Sequence, residues 1–346
     1  MTDASKKRRH FAEAIDVDRR GVLAGASGWA ALGLLAPVAG CQGRGVMGGQ
    51  GTAAANRPEG AHNPAQERTT MNTTSTSPEA TTRSPSNQAR MPVLFVGHGS
   101  PMNAIEDNKW SRGFQAMADL FPTPKAVLSI SAHWFLGGTF VTGNEHPKTI
   151  HDFGGFPDQL FQMQYPAPGQ VDLAKRIVHL LGERRGAIRH DWGLDHGTWS
   201  VLHHLRPAAD VPVVQLSIDA NLPVAGHLEL GRALAPLREE GVLIMGSGNV
   251  THNLRHAMTS YSRGDLSTPP WAATFDAEVE RAAIQHDGAF LARAIETPAG
   301  RQSHPTLDHF LPLAYTLGAS DKNDRVTFPI SGFDLGSLSM RSILFG

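Results

Sequence analysis

Three histidines of the sequence each follow an apolar run, with glycine or serine within a few residues before the histidine. The chain reads VLFVGHG around His98, AVLSISAH up to His133, and VLIMGSGNVTH up to His252. Neutral imidazole is the commonest protein ligand of metal ions and the side chain best suited to moving protons near neutral pH. Packing is the usual explanation for one such histidine, but three with the same placement predict a shared metal site.

A shared site requires that these histidines are positioned by strands. Apolar runs rich in β-branched residues predict such strands. Strands are predicted at 92–97, 126–132, 138–142, 212–217, 242–246 and 325–329. Helices are predicted at 109–120, 170–182, 198–205, 223–240, 272–286 and 309–317. This alternation predicts an α/β domain with a mostly parallel sheet that is covered on both faces. Ligands of such folds bind at the carboxyl ends of the strands.

Two further histidines are candidates for the same site. His309 lies in PTLDHFLPL, near a predicted helix start, and His196 lies in WGLDHGTW, a predicted loop rich in glycine and tryptophan. Six others are interpreted as structural or surface residues, because they lie on helical stretches without ligand-like spacing: His179, His203, His204, His227, His256 and His286.

Composition limits the possible partners. The chain has 346 residues and a formal net charge of −1. It has no basic stripe with interleaved aromatic residues, which argues against nucleic acid as a partner. Residues 91–346 are enough for one sizeable hydrophobic core.

The first ninety residues have a different composition. Arg19 and Arg20 precede an apolar stretch that ends in VAGC, so residues 1–41 resemble a twin-arginine export signal with a lipobox. Cys41 would be the lipidated residue. Residues 42–90 are rich in Gly, Ser, Thr, Asn and Pro, a composition that predicts a disordered linker. The expected location is therefore the cell envelope, on the periplasmic face, with a lipid anchor as the only membrane contact.

Other interpretations of this region remain open. The apolar stretch could be fortuitous, and translation could begin at Met71 or Met91, which would leave the protein in the cytoplasm. Cys41 is the only cysteine, which excludes an internal disulfide. Its position at the end of the apolar stretch favours the lipid anchor.

A series of motifs after residue 91 resembles a known family. They are GHGSPMN, SAHW, IHDFGGFP, YPAPG, DHGTW, VQLSID, GSGNVTHN, PTLDHFLPL and GSLSM, in that order. Together they resemble the 4,5-DOPA extradiol dioxygenase family, within the class III ring-cleaving dioxygenases related to protocatechuate 4,5-dioxygenase. GHGS alone is weak evidence, since small chelatases also contain it, but the ordered set is specific. The resemblance covers residues 91–346.

The resemblance implies a single three-layer αβα domain that holds one divalent metal ion. By motif, the metal-binding positions carry over to His98, His133, His252 and His309. Ring cleavage by oxygen needs a redox-active ion, normally Fe(II), whereas members of the family are often described with zinc. Imidazole-rich sites bind both ions, and zinc binds more tightly in the general affinity order, so either ion remains open.

The sequence departs from the common iron pattern of two histidines and one carboxylate. No glutamate lies in an obvious ligand position. Glu106, Asp195 and Asp219 are the nearest candidates, and each is expected to orient a histidine instead of binding the metal.

The resemblance also implies a small catechol, DOPA-like, as substrate together with O2. A cation stabilises the catecholate, and a general base near neutrality must take the second phenolic proton. His196 is the predicted acid/base residue, because Gly197 and the neighbouring tryptophans indicate a tight, partly apolar wall. For a substrate carboxylate, Arg255, Lys148 and loop N–H groups all remain possible.

Two functions of other classes would use the same histidines. One is a zinc-dependent hydrolase, in which the metal activates water. The other is a non-enzymatic lipoprotein of the cell envelope that binds a metal or ligand. A chelatase fits less well, because SAHW and GNVTHN add histidines that GHGS alone would not require. The sequence leaves the oligomeric state open.

Overall fold

The computed structural model describes residues 90–182 and 185–346. The predicted export signal, Cys41 and nearly all of the predicted linker lie outside these residues and stay predictions. No helix of the described part is both long and apolar enough to cross a membrane.

The β-strands of the described part belong to one large sheet and one small pair. They are β1 (Val93–Gly97), β2 (Ala126–Leu136), β3 (Thr139–Thr142), β4 (Gly186–Arg189), β5 (Val213–Asp219), β6 (Val242–Gly248), β7 (Val326–Ile330), β8 (Phe333–Asp334), β9 (Leu338–Ser339) and β10 (Ser342–Phe345). The large sheet has eight strands in the order β4-β3-β5-β2-β6-β1-β10-β7, and β8 pairs with β9.

Helices connect most of these strands. They are α1 (Lys109–Ala116), α2 (Asp158–Phe161), α3 (Val171–Leu181), α4 (His196–Leu205), α5 (Val224–Leu234), α6 (Leu254–Arg263), α7 (Pro270–Ile284), α8 (Gly288–Ala294), α9 (Pro298–Ser303) and α10 (Leu311–Ala319). Short 3-10 turns lie at Pro101–Ala104, Met117–Leu120 and Ala235–Arg238.

The centre of the large sheet is parallel and its edges are mixed. Strands β5, β2, β6 and β1 run parallel to one another, and β3 runs parallel to β4. Antiparallel pairs join β3 to β5, β1 to β10 and β10 to β7. The predicted α/β class and mostly parallel sheet are confirmed, and the four central strands end at the same edge of the sheet.

Hydrophobic cores cover both faces of this sheet. Side chains of a strand alternate between faces, and β1 shows this directly. Val93 and Phe95 belong to one buried cluster, whereas Leu94 and Val96 belong to the other. Because both sets are fully buried, β1 reads as a continuous apolar run, which is typical of a parallel sheet between two helical layers.

Helices α5 and α10 meet through glycines on the face of the first cluster. A Cβ at Gly231 would lie 2.2 Å from the Tyr315 carbonyl oxygen, and a Cβ at Gly318 would lie 2.2 Å from the Leu228 carbonyl oxygen. Only glycine permits backbones to approach this closely. The contact fixes α10, which is buried along its whole length and begins two residues after His309.

The predicted strands all occur, with ends that differ by a few residues. The largest difference is in β2, which was expected to end before His133 but continues through it to Leu136. Strands β4, β8, β9 and β10 were not predicted, because segments of two to four residues are too short for periodicity to identify.

The predicted helices also occur, but two site histidines sit differently from expectation. His196 is the first residue of α4 instead of a loop residue, since Asp195 caps the helix. His309 precedes α10, which begins at Leu311. Four helices were not predicted: α2, α6, α8 and α9.

Candidate metal centre

His98 directly follows β1, where the chain packs against a neighbouring segment. A Cβ at Gly97 would lie 2.6 Å from the carbonyl carbon of Met340, so the close approach requires glycine. His98 Nδ1 lies 2.9 Å from Ser247 Oγ, and that hydroxyl donates to the Gly197 carbonyl oxygen at 2.5 Å. Because the hydroxyl proton is used there, Ser247 Oγ accepts from Nδ1–H of His98. The Nε2 lone pair of His98 is therefore free.

His133 faces His98 across the edge of the sheet. The two Nε2 atoms are 3.2 Å apart. On the other side of its ring, His133 Nδ1 lies 3.2 Å from Asp152 Oδ2. A carboxylate accepts hydrogen bonds only, so the ring directs Nδ1–H to Asp152 and the Nε2 lone pair towards His98. Two lone pairs at this distance suit a shared cation.

His196 is held by the same carboxylate. Its backbone N–H donates to Asp152 Oδ1 at 2.8 Å, and its Nδ1–H donates to Asp152 Oδ2 at 2.8 Å. Asp195 caps the helix by accepting from the Thr198 backbone N–H. Both the backbone and the ring of His196 are therefore fixed beside the centre.

His252 and His309 form the other side of the centre. Their rings are parallel, at 3° to each other, with centroids 3.5 Å apart. His309 Nδ1 is hydrogen-bonded to Asp308 Oδ2 at 2.5 Å. A Cβ at Gly248 would lie 2.2 Å from the His309 carbonyl oxygen, so glycine at the end of β6 lets this turn reach the sheet.

Two overlapping subsets of these five rings lie close together, and one of them has ring nitrogens placed to hold an ion. Ring nitrogens of His98, His133 and His196 all lie within 4.8 Å of one another, and this triad forms a site that could hold a metal ion. By ring position, His98, His133 and His309 form a nearly equilateral triangle, with centroid separations of 5.1, 5.2 and 5.0 Å. His98 and His133 belong to both subsets.

Burial keeps the imidazoles of His98, His133 and His252 neutral, which metal binding requires. Burial is the main cause that lowers the pKa of His98, His133 and His252 well below the ordinary value. Each of these pKa values is lowered further by at least one neighbouring histidine of the cluster. Neutral imidazoles of this kind fit a divalent metal ion.

Two carboxylates remain charged beside the rings. Burial alone would raise the pKa of Asp152, but His196 and His133 lower that pKa well below its ordinary value. Burial likewise acts to raise the pKa of Asp308, but the charge and hydrogen bond of His309, together with His252 and Thr306, lower that pKa well below its ordinary value. The site thus contains two anionic groups, each on the outer side of the histidine rings.

An aromatic wall lies next to His196. The Phe153 ring meets the His196 ring edge to face at 5.5 Å, and Phe153 also contacts Phe156 and Phe161 at 5.4 and 5.2 Å. Trp199 lies 6.2 Å from Phe153. Such a wall offers flat apolar surface to an aromatic ring.

Two carboxylates that the sequence did not suggest, those of Asp152 and Asp308, contact histidine rings of the centre. Asp195 is fully buried and accepts from Ser131 Oγ, Gln215 Nε2 and the Thr198 backbone. Burial and the charge of Asp152 raise the pKa of Asp195 to about 6. Asp195 therefore supports α4 instead of bonding to a histidine ring.

The other two expected carboxylates also have other partners. Asp219 accepts from the Gly138 and Asn221 backbones, and Glu106 accepts from Asn108 Nδ2. Sequence reasoning did not single out Asp152 and Asp308. A signal existed for both, since Asp152 lies in the IHDFGGFP motif and Asp308 is adjacent to His309.

Neither candidate cation for a substrate carboxylate is placed in the centre. Lys148 is exposed in the segment after β3, and Arg255 is exposed on α6. The choice between them and loop N–H groups stays a prediction.

The described domain matches a protein family along nearly its whole length. The family model described as the catalytic LigB subunit of aromatic ring-opening dioxygenase matches residues 92–335.

Similar proteins carry related names. The chain is 48% identical over 262 residues to "4,5-DOPA dioxygenase extradiol" of Escherichia coli K12, a match that covers 74% of this chain and 95% of the relative. It is 40% identical to the protein of the same name from Beta vulgaris, covering 73% of this chain and 96% of the relative. A crystal structure of the uncharacterized E. coli protein JW3007 matches with a TM-score of 0.65 and 43% identity, over 74% of this chain and all of that one.

Proposed function

The chain belongs to the LigB family and is an extradiol aromatic ring-opening dioxygenase, and from this premise we propose that its substrate is a small, DOPA-like catechol. The observation that carries this proposal is the position of the aromatic wall. Phe153 contacts His196 directly, so an aromatic ring that packs on the wall lies beside the histidine cluster. Names of the relatives support a DOPA-like compound among the catechols.

We propose that the metal ion is Fe(II) during catalysis. The donor set fits, because neutral imidazoles bind iron and zinc alike. A bound Fe(II) ion would supply the redox chemistry that O2 requires. The same rings would retain zinc more readily than Fe(II), because zinc binds more tightly in the general affinity order.

We propose that His98, His133 and His309 bind the metal ion. His252, the other position that the family resemblance implies, is proposed as a fourth ligand. Equal ring separations around His98, His133 and His309 support this set. All three rings also have Nδ1 directed to a hydrogen-bond acceptor, as metal-binding histidines nearly always do.

His196 then remains for proton transfer. Its Nδ1–H is held by Asp152, so Nε2 can accept a phenolic proton from a catechol that packs against Phe153. Accepting that proton produces an imidazolium, which the carboxylate of Asp152 stabilises across the short hydrogen bond. The neighbouring triad of His98, His133 and His196 is the competing ligand set.

Anaerobic reconstitution tests the function. Protein purified without metal is loaded with Fe(II) or Zn(II), and a panel of catechols with and without a carboxylate is followed for O2 uptake and yellow products. The Fe(II) form is expected to consume O2 with a DOPA-like catechol and the Zn(II) form is not. Hydrolysis of esters by the Zn(II) form without O2 uptake in either form would contradict the proposal.

We further propose export to the cell envelope with a lipid anchor at Cys41. The order of twin arginine, apolar stretch, lipobox and linker supports this. Changing Cys41 to Ser should release the protein from membranes, and changing Arg19 and Arg20 to Lys should stop export. Native protein that begins at Met91 and stays in the cytoplasm would contradict it.

A further inference from the structure

One carboxylate, that of Asp152, contacts two histidines of the centre. Its Oδ1 atom accepts from the His196 backbone at 2.8 Å. Its Oδ2 atom accepts from His196 Nδ1 at 2.8 Å and lies 3.2 Å from His133 Nδ1. The same oxygen atom is therefore hydrogen-bonded to the His196 ring and lies within 3.2 Å of the His133 ring.

The segment that carries Asp152 is fixed on both sides. Trp199 Nε1 donates to the Ile150 carbonyl oxygen at 2.8 Å, and the Ile150 N–H donates to the Leu194 carbonyl oxygen at 2.7 Å. On the other side of Asp152, Phe153 packs on His196. Asp152 thus has little freedom to move away from the two rings, although no regular helix or strand contains it.

We propose that Asp152 is a positioning residue that sets the ring orientation and tautomer of His133 and His196 together. A carboxylate cannot donate, so each ring must present Nδ1–H to it and keep the Nε2 lone pair for the centre. Because one oxygen serves both rings, a metal-binding histidine and the proton-transfer histidine are fixed relative to each other. The proposal deepens the proposed function and rests on it for the roles of the two rings.

Neighbouring carboxylates do not duplicate this role. Asp195 accepts from Ser131, Gln215 and the Thr198 backbone. Asp308 bonds to His309 on the other side of the centre. Loss of the Asp152 carboxylate therefore removes the hydrogen-bond acceptor of the His196 ring and the anionic neighbour of the His133 ring at once.

Asp152→Asn is the sharpest change, because the amide keeps the shape but has one acceptor oxygen and adds two N–H donors. In either orientation of the amide, its nitrogen faces a donor of His196. The matched control is Asp158→Asn, an exposed position six residues further along the same segment.

The tautomers can be read directly in the full-length, zinc-loaded protein from long-range 1H–15N correlations of the histidine rings. In the wild type and in Asp158→Asn, His196 should show a protonated Nδ1 and an unprotonated Nε2. In Asp152→Asn this pattern should be lost, and the affinity for Zn(II) should fall roughly 10–100-fold, as for other residues that orient metal ligands. With Fe(II), kcat should fall more than KM rises.

The NMR and metal-affinity measurements need no turnover, so they separate this proposal from the proposed function. A wild-type spectrum with protonated Nε2 on His196 would overturn it even if Asp152→Asn does not fold. So would an Asp152→Asn protein with the wild-type tautomer and metal affinity. If no catechol is cleaved but the tautomer shifts as expected, the positioning role stands and the catalytic assignment fails.

Discussion

The two sides of the histidine centre are built alike but are not equally constrained. On one side His133 and His196 lie 3.9 Å apart by ring centroid, and Asp152 contacts both rings. On the other side His252 and His309 stack at 3.5 Å, but Asp308 bonds only to His309. His98 lies between the sides, 5.1 Å from His133 and 5.2 Å from His309.

This difference shows what a carboxylate adds to a histidine pair. The Asp152 side has two rings with defined tautomers. On the Asp308 side, only the His309 ring has a tautomer defined by a hydrogen bond. No hydrogen bond within the described residues reaches the His252 ring. His252 is positioned by its backbone N–H, which donates to the Ser303 carbonyl oxygen at 3.0 Å, and by stacking. A hydrogen-bonded ring and a stacked ring should respond differently to substitution.

The largest effect is expected from the ring shared by both sides. His98→Ala should remove the ion, because His98 belongs to each candidate ligand set, and O2 uptake should fall at least roughly 10³-fold, since a metal supplies several kcal/mol of stabilisation. Metal analysis and an oxygen electrode measure this. His146→Ala, at an exposed histidine, is the control. A His98→Ala protein with a full complement of metal would remove His98 from both sets.

The next test asks which histidine is the third metal ligand beside His98 and His133. It compares His309 on one side of the centre with His196 on the other. His309→Ala should lose the ion, whereas His196→Phe should keep it and lose turnover roughly 10²–10⁴-fold, as expected for a lost proton-transfer group. Metal content and turnover are measured on the same preparations. The reverse pattern of metal loss would assign the ion to the triad of His98, His133 and His196.

Removal of the Asp308 carboxylate should have a smaller effect. Asp308→Asn weakens the hydrogen bond to one ring only, so metal affinity should fall by about 10-fold, at the lower end of the range for such partners. Competition with a chelator measures the affinity. The comparison between the sides fails if Asp308→Asn reduces the affinity more than Asp152→Asn does.

The smallest effect on catalysis is expected far from the centre. His227 packs against Tyr315 between α5 and α10, and burial lowers its pKa from 6.5 to about 4, while the charge of Asp219 opposes this shift. The unfolded chain therefore binds more protons between these pH values, and stability falls as the pH drops through that window. The loss from His227 is at most roughly 3 kcal/mol.

Urea unfolding at several pH values checks this. His227→Leu should flatten the dependence of the unfolding free energy between pH 4 and 6.5 and leave kcat near neutral pH unchanged. An equal pH dependence in wild type and variant would show that His227 does not titrate as its burial indicates.

Local signals and distant contacts differ in how well the sequence predicts them. His98 and His252 are recognisable because the apolar strand, the glycine turn and the imidazole are adjacent in the chain. The bond from Asp152 to His196 joins residues 44 positions apart, and the Asp152 segment has no periodicity that marks its place. Predicting that contact requires knowledge of how Trp199 and Leu194 hold the segment, which depends on the complete fold.

The long-range origin of the centre also has a consequence for folding kinetics. Its histidines come from the ends of non-consecutive strands, since β6 lies between β1 and β2 in the sheet. The rings cannot meet until these parallel pairs have formed, and such pairs form slowly because distant segments must be brought together. An ion that binds only the assembled centre stabilises the native state without stabilising the folding transition state. Metal should therefore slow unfolding of the domain and leave its refolding rate nearly unchanged.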